Sequence, residues 1–180
     1  MAHDSAVRGT LLLVAGPSGA GKDTLITAAA ARLAATHVFP RRVITRPEGA
    51  DAEQHAHQSD ALFTSAEAGG AYALSWSAHG LRYGVPVSIL EDLDAGRHVV
   101  VNVSRAVAAA ARRRFHPCRV ILVTARREIL AERLAARGRE APEDVAQRLD
   151  RQVDLVPDNV IVNEGPVEIT LQRFLEALKG

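Results

Sequence analysis

The apolar residues fall into short unbroken runs separated by longer mixed stretches. Thr10 to Ala15 (TLLLVA), His98 to Val103 (HVVVNV) and Arg119 to Thr124 (RVILVT) are too short for a core helix. They also lack the alternation of a half-wet strand, so each predicts a strand buried on both faces. Asn159 to Val162 predicts a further strand and Val43 to Thr45 a shorter one. Between them, helices are expected at Asp23 to Ala35, from a Ser104 cap to about Phe115, at Arg126 to Arg137, at Pro142 to Leu155 and at Pro166 to Leu178. A short helix is expected near Asp60 to Ala68. Pro86 suits the first turn of a helix reaching about Ala95, with Gly96 just past its end. Tyr72 to Ser77 and Leu81 to Val85 flank Ala78-His79-Gly80 and predict a hairpin, whereas Pro47 to Ser59 predicts a polar loop. Repeated strand-then-helix order makes this an α/β chain, with a mostly parallel sheet covered by helices on both faces.

Composition narrows the function classes. At 180 residues, 47% hydrophobic and 24% charged, the chain is expected to form one domain over 1–180, and a disordered chain or coiled coil is excluded. A net charge of +1 gives no global field for nucleic acid or a membrane, so any anion binding must be local. The start MAHDSAVRGT lacks the pattern of a secretion signal and no apolar run is long enough to span a bilayer, so a cytoplasmic location is expected. Cys118 is the sole cysteine, which excludes an internal disulfide or a multi-cysteine zinc site and leaves a buried, inert thiol. Of the 22 basic residues only Lys22 and Lys179 are lysines, so Lys22 is expected where a compact ammonium is needed. Residues 105–139 carry ten arginines against two acids, a candidate anion clamp or a set of solvated helix faces.

The first strand leads into Gly16-Pro17-Ser18-Gly19-Ala20-Gly21-Lys22-Asp23-Thr24, the G-x-x-x-x-G-K pattern of a phosphate-binding loop in its required strand-to-helix context. The glycines let backbone N–H groups wrap phosphate oxygens, the following helix adds its positive end, and Lys22 can reach the β- and γ-phosphates of ATP. Asp23 stands where the pattern has a hydroxyl on Mg²⁺, with Thr24 one position late. An aspartate there can ligate Mg²⁺, hold a coordinated water, or favour the helix start by its charge.

Along nearly its whole length the chain resembles the guanylate kinase-like branch of the P-loop kinases. GPSGAGK, Ile44-Thr45-Arg46, Tyr83-Gly84, Arg137-Gly138-Arg139-Glu140 and Val162-Asn163 occur in that family's order. The resemblance implies a small helical lid at about 126–150, an acceptor-binding insert at about 41–85, and Mg²⁺ bound with ATP. It also implies that Arg46 and Tyr83 hold the acceptor's phosphate, and by analogy that two copies can pair as a homodimer. Phosphoryl transfer between polyanions needs charge neutralisation, which suits Lys22 and the lid arginines Arg133, Arg137, Arg139 and Arg148 as catalytic groups.

The guanine-reading groups of that family are missing. Ser75 replaces a glutamate, Asn102 and Ser104 replace an acidic pair, and Pro47-Glu48-Gly49 follows Arg46 without the second acceptor arginine. Unpaired guanine donors would reject the base. With Glu53-Gln54-His55, LSW at Leu74 to Trp76 and VVVNVSR at Val99 to Arg105, these departures resemble the ribose 1,5-bisphosphate phosphokinases of bacterial phosphonate degradation. That resemblance implies a small phosphorylated sugar as acceptor. Arg42, Arg46, Glu53, Ser75 and Tyr83 are then expected on the acceptor side, with Asn102, Ser104 and Arg105 suited to a sugar hydroxyl and a second phosphate.

Three rivals stand against this reading. Guanylate kinase shares the whole ATP side. A non-catalytic guanylate kinase-like binding module would ordinarily lose the phosphate loop, which is intact here. A nucleic-acid binder using Arg112-Arg113-Arg114 lacks aromatic interleaving. His55-Ala56-His57 is expected to be solvent-exposed or phosphate-contacting rather than a metal site, and Trp76 is expected in the core.

Overall fold

The computed structural model describes residues 8–46, 55–78, 80–136 and 155–180. Its centre is β1 (Leu11–Ala15), flanked in register by β7 (His98–Asn102) and β8 (Cys118–Thr124), with Leu11 opposite both Val99 and Cys118. β2 (His37–Val38) and β9 (Asn159–Val162) close the edges, giving a parallel sheet in the order β2-β7-β1-β8-β9.

All five residues of β1 are buried, and the strand's alternation divides them between two cores. Leu12 and Val14 pack with Leu25 and Ala29 of α1 (Lys22–Leu33), Leu130 of α5 (Arg127–Ala136) and Phe174 of α6 (Val167–Lys179). Leu11, Leu13 and Ala15 pack with Ile89 and Leu93 of α3 (Ile89–Asp94) and Ala108 and Ala111 of α4 (Arg105–Arg112). An unbroken apolar run is what a strand with helices on both faces requires. Each fully buried leucine contributes roughly 1.5–3 kcal/mol. Ser104 caps α4 as expected, its hydroxyl accepting from the Val107 N–H at 3.2 Å.

Four strands between Arg42 and Pro86 build a second sheet. β3 (Arg42–Ile44), β4 (His55–His57), β5 (Tyr72–Ala78) and β6 (Leu81–Pro86) lie in the order β4-β3-β6-β5, parallel only between β3 and β4. Ala73, Leu74 and Val85 pack into the same core as Leu11 and Leu13, which seats this sheet against one side of the large one. α2 (Asp60–Ala68) is fastened by Phe63, buried and stacked on Tyr72 at 4.6 Å, and by Arg82 lying 4.5 Å over Phe63 while pairing with Glu67.

Several expectations change. Pro86 ends β6 opposite Tyr72 instead of opening a helix, and α3 starts at Ile89; Gly96 does follow that helix at φ 79°. β4 forms inside the stretch read as a loop, where Arg42 to Ile44 supply a partner, and the two-residue β2 was not foreseen. Most of the expected helix at Pro142 to Leu155 lies outside the described residues. Cys118 is half-buried, and burial pushes its thiol up to about 11, in keeping with an inert cysteine.

His37 on β2 is 5% exposed, and its Nε2 lies 3.3 Å from the Leu178 carbonyl. A carbonyl only accepts, so Nε2 carries the proton and Nδ1 accepts from the Thr36 hydroxyl at 2.8 Å. Burial first, then the neighbouring His98 and Lys179, hold its pKa below the ordinary value. A folded-state pKa below the unfolded one means that folding favours the neutral ring. The stability this contributes is present above about pH 6.5 and is lost as pH falls. Thermal melts from pH 7 to pH 5 should show a falling Tm, with a shallower fall in His37→Gln; equal slopes would exclude His37 as the cause.

Candidate active site

The loop between β1 and α1 is shaped by its own sequence. Gly21 sits at φ 84°, ψ 18° immediately before Lys22, the first residue of α1, and a Cβ there would come within 2.4 Å of the Asn163 amide nitrogen. Gly16 follows β1 at φ 148°, where a Cβ would meet the Val123 carbonyl at 1.9 Å. Both positions therefore demand glycine. The Lys22 ammonium folds back over the loop and donates to the carbonyls of Gly16 at 2.9 Å and Pro17 at 2.8 Å.

Two side chains from distant segments brace this loop. Arg133 on α5 donates to the Gly19 carbonyl at 3.4 Å. Asn163, just past β9 and 6% exposed, donates from Nδ2 to the Ala20 carbonyl at 2.9 Å, and its own backbone N–H bonds Thr124 at 2.7 Å. Its Oδ1 is buried without a hydrogen-bond partner. The sequence places Asn163 only within a resemblance motif; its bracing of the loop needs the register that sets β9 beside β8.

Opposite the loop, the tip of β7 meets the small sheet. Asn102 Nδ2 donates to Asp23 Oδ1 at 2.6 Å, while the Asn102 carbonyl accepts from Arg42 at 2.9 Å. The other terminal nitrogen of Arg42 donates to His55 Nε2 at 2.9 Å, and its guanidinium lies 5.8 Å over the Tyr83 ring. Burial lowers the Arg42 pKa from its ordinary value, with Asp23 and Tyr83 opposing that shift, and the group stays cationic. Tyr83 stacks on Trp76 at 5.2 Å and 9° between planes. Trp76 is thus only partly buried, packed on the core at its edge and forming an aromatic wall beside the candidate acceptor residues.

Arg42, Tyr83, Asn102 and Asp23 are therefore brought together, linked through contacts that no sequence spacing announces. Ser75 lies exposed on β5 opposite Gly84, Ser104 spends its acceptor on the α4 cap, and Arg105 opens that helix. Arg46 is half-buried, and its carbonyl accepts from His57 Nδ1 at 3.0 Å. The two histidines are thus half-buried partners of Arg42 and Arg46 instead of solvent-exposed groups. No cluster of three or more metal-ligating side chains is present among the described residues. Glu53, Arg137, Arg139 and Arg148 lie outside the described residues.

A parallel sheet, a glycine loop with its lysine at the head of a helix, and an arginine reaching that loop define a P-loop kinase. Residues 11–156 match the family described as an AAA domain. The fold is also that of a guanylate kinase from Anaplasma phagocytophilum, at a TM-score of 0.73 and 19% identity, over 96% of this chain and 86% of that one. Within that class the chain belongs to the ribose 1,5-bisphosphate phosphokinase family. It is 55% identical to the ribose 1,5-bisphosphate phosphokinase PhnN of Acidiphilium cryptum, over 94% of this chain and 92% of that protein. The corresponding protein of Chelativorans sp. is 44% identical over 96% of this chain and 86% of its own length. A bifunctional ribose 1,5-bisphosphokinase-thymidine phosphorylase of Cupriavidus necator is 45% identical over 95% of this chain, which spans 29% of that larger protein.

Proposed function

We propose that the protein transfers the γ-phosphoryl group of ATP to the 1-phosphate of ribose 1,5-bisphosphate, giving 5-phosphoribosyl 1-diphosphate and ADP. The 55% identity to a protein of that name, across nearly all of both chains, carries the reading. The site supports it. The guanine-reading carboxylates are replaced by Ser75, Asn102 and Ser104, neutral side chains in place of charged acceptors.

A 1-phosphate oxygen attacks the γ-phosphorus, the bond from that phosphorus to the β,γ-bridging oxygen breaks, and ADP leaves with the electron pair. The nucleophile is already ionised, so no strong base is required. Lys22 exchanges the Gly16 and Pro17 carbonyls for β- and γ-phosphate oxygens, while loop N–H groups take the remaining charge. Arg133 and the arginines at 137, 139 and 148 neutralise the transferring group. Arg46, Arg42 and Tyr83 fix the acceptor side, with Ser75, Ser104, Arg105 and Glu53 around the sugar. The two chemistries divide the domain between an acceptor part at about 41–85 and a lid at about 126–150.

The residues suit Mg²⁺ held mainly by phosphates. Asp23 is exposed and offers a hard oxygen donor beside Lys22, with Oδ1 oriented by Asn102. Bound there, the ion would screen the β- and γ-phosphate charge. ³¹P NMR of the protein with Mg-ATP and ribose 1,5-bisphosphate should show a diphosphate forming at the sugar's C1 while its 5-phosphate persists. Loss of the γ-phosphate to free phosphate alone would overturn the assignment.

A further inference from the structure

Arg42 belongs to the small sheet, yet its guanidinium reaches the last residue of β7 in the large one. Two of its terminal nitrogens are committed, one to the Asn102 carbonyl and one to His55. His55 is its register partner across β3 and β4, so the imidazole and the guanidinium stand side by side on adjoining strands. A guanidinium has no acceptor, so His55 Nε2 must present its lone pair and the ring proton must sit on Nδ1. Arg41 adds a bond to the His55 carbonyl at 3.2 Å, fixing the backbone from which the ring projects.

We propose that His55 is a positioning residue for the acceptor. Its lone pair holds the Arg42 guanidinium in the plane that meets the Asn102 carbonyl and covers Tyr83, and so sets the acceptor sheet against the β7 tip. The chain then continues through the Asn102 amide to Asp23, beside Lys22. An acceptor phosphate placed by Arg42 and Tyr83 is thereby held at a fixed offset from the phosphate loop. Transfer depends on this offset, because reacting atoms must approach in line. An apolar residue at 55 would leave one guanidinium nitrogen without this partner and the fork held at the Asn102 carbonyl alone, able to rotate about that bond, whereas a glutamine places an oxygen where Nε2 now lies.

The inference rests on the proposed function, and its test separates the two. KM for ribose 1,5-bisphosphate and for Mg-ATP is measured in the wild type, His55→Leu and His55→Gln, with thermal melts on each. His55→Leu should raise the acceptor KM about tenfold or more, as expected for losing a hydrogen bond to a charged group, and should leave the ATP KM within about twofold. His55→Gln should recover most of the loss. Equal changes in both KM values, an unaltered acceptor KM, or a glutamine variant as impaired as the leucine one would overturn the proposal. Wild type that phosphorylates GMP and ignores the sugar would overturn the functional reading alone, and the same comparison would then be made on GMP. ¹⁵N NMR of the wild-type imidazole decides the contact in either case. Unprotonated Nε2 that shifts in Arg42→Lys supports it, and a protonated Nε2 overturns it.

Discussion

Replacing Lys22 by alanine is expected to lower kcat/KM for phosphoryl transfer on the order of a thousandfold while leaving the fold intact. Lys22 is half-buried at the head of α1, and its ammonium already spans the loop to the Gly16 and Pro17 carbonyls. Those bonds show that Nζ reaches across the loop mouth, where the β- and γ-phosphates lie in a P-loop kinase. Removing a preorganised donor at the point of developing charge typically costs a factor of about 10²–10³, and here a full positive charge goes with it. Lys22→Arg should recover little, because a planar fork cannot occupy a space shaped for a point charge. Steady-state kinetics and a melting curve on both variants check this. Activity within tenfold of the wild type in Lys22→Ala would remove Lys22 from the mechanism.

The second large effect is expected at Asn163. In Asn163→Asp the Nδ2 donor becomes an oxygen facing the Ala20 carbonyl, at a site only 6% exposed. Two acceptors then confront each other and the loop carbonyl loses its partner, at a cost of about 2–4 kcal/mol from the unmet hydrogen bond and the buried charge. For a domain of this size that corresponds to a fall in Tm of roughly 5–15 °C. Because Ala20 is a loop residue, KM for ATP should also rise, by about tenfold. Asn163→Ala removes the donor without adding a charge and should lose less. Differential scanning calorimetry with ATP titrations distinguishes these outcomes, and an aspartate variant as stable as the wild type would show that Asn163 does not brace the loop.

The two effects differ in how visible they were beforehand. Lys22 is announced by its neighbours, since a glycine loop after TLLLVA leaves little else for Gly16 to Lys22 to do. The large sheet was legible for the same reason: strands covered on both faces write themselves as continuous apolar runs, and β1, β7 and β9 fall within the expected stretches while β8 begins one residue earlier, at Cys118. The small sheet was harder to read. β4 is His-Ala-His, polar and three residues long, and it exists because β3 offers a ladder that sequence order does not reveal. Pro86 reads equally well as a helix start or a strand end, and the pairing with Tyr72 decided for the strand.

Within the site, residue types were readable and their partners were not. Asp23 and Asn102 are 79 residues apart, and Arg42 and Asn102 are 60 apart, so their contacts appear only once β1, β3 and β7 are assembled. Arg42 was expected to serve the acceptor phosphate directly; its guanidinium already spans Asn102 and His55, which gives it a part in docking the two sheets. Trp76 was expected in the core from its apolar neighbours; it shares the face of Leu74 and packs on the core's edge, where Tyr83, its register partner on β6, stacks on it and leaves it partly exposed.

The central claim is the acceptor. The measurement that tests it most directly is kcat/KM for ribose 1,5-bisphosphate and for GMP on the same preparation, by coupled ADP release from Mg-ATP. A strong preference for the sugar, with 5-phosphoribosyl 1-diphosphate as product and no turnover in Lys22→Ala, is the predicted result. Turnover on GMP equal to or above that on the sugar would contradict it, and would mean that Ser75, Asn102 and Ser104 still accommodate a purine.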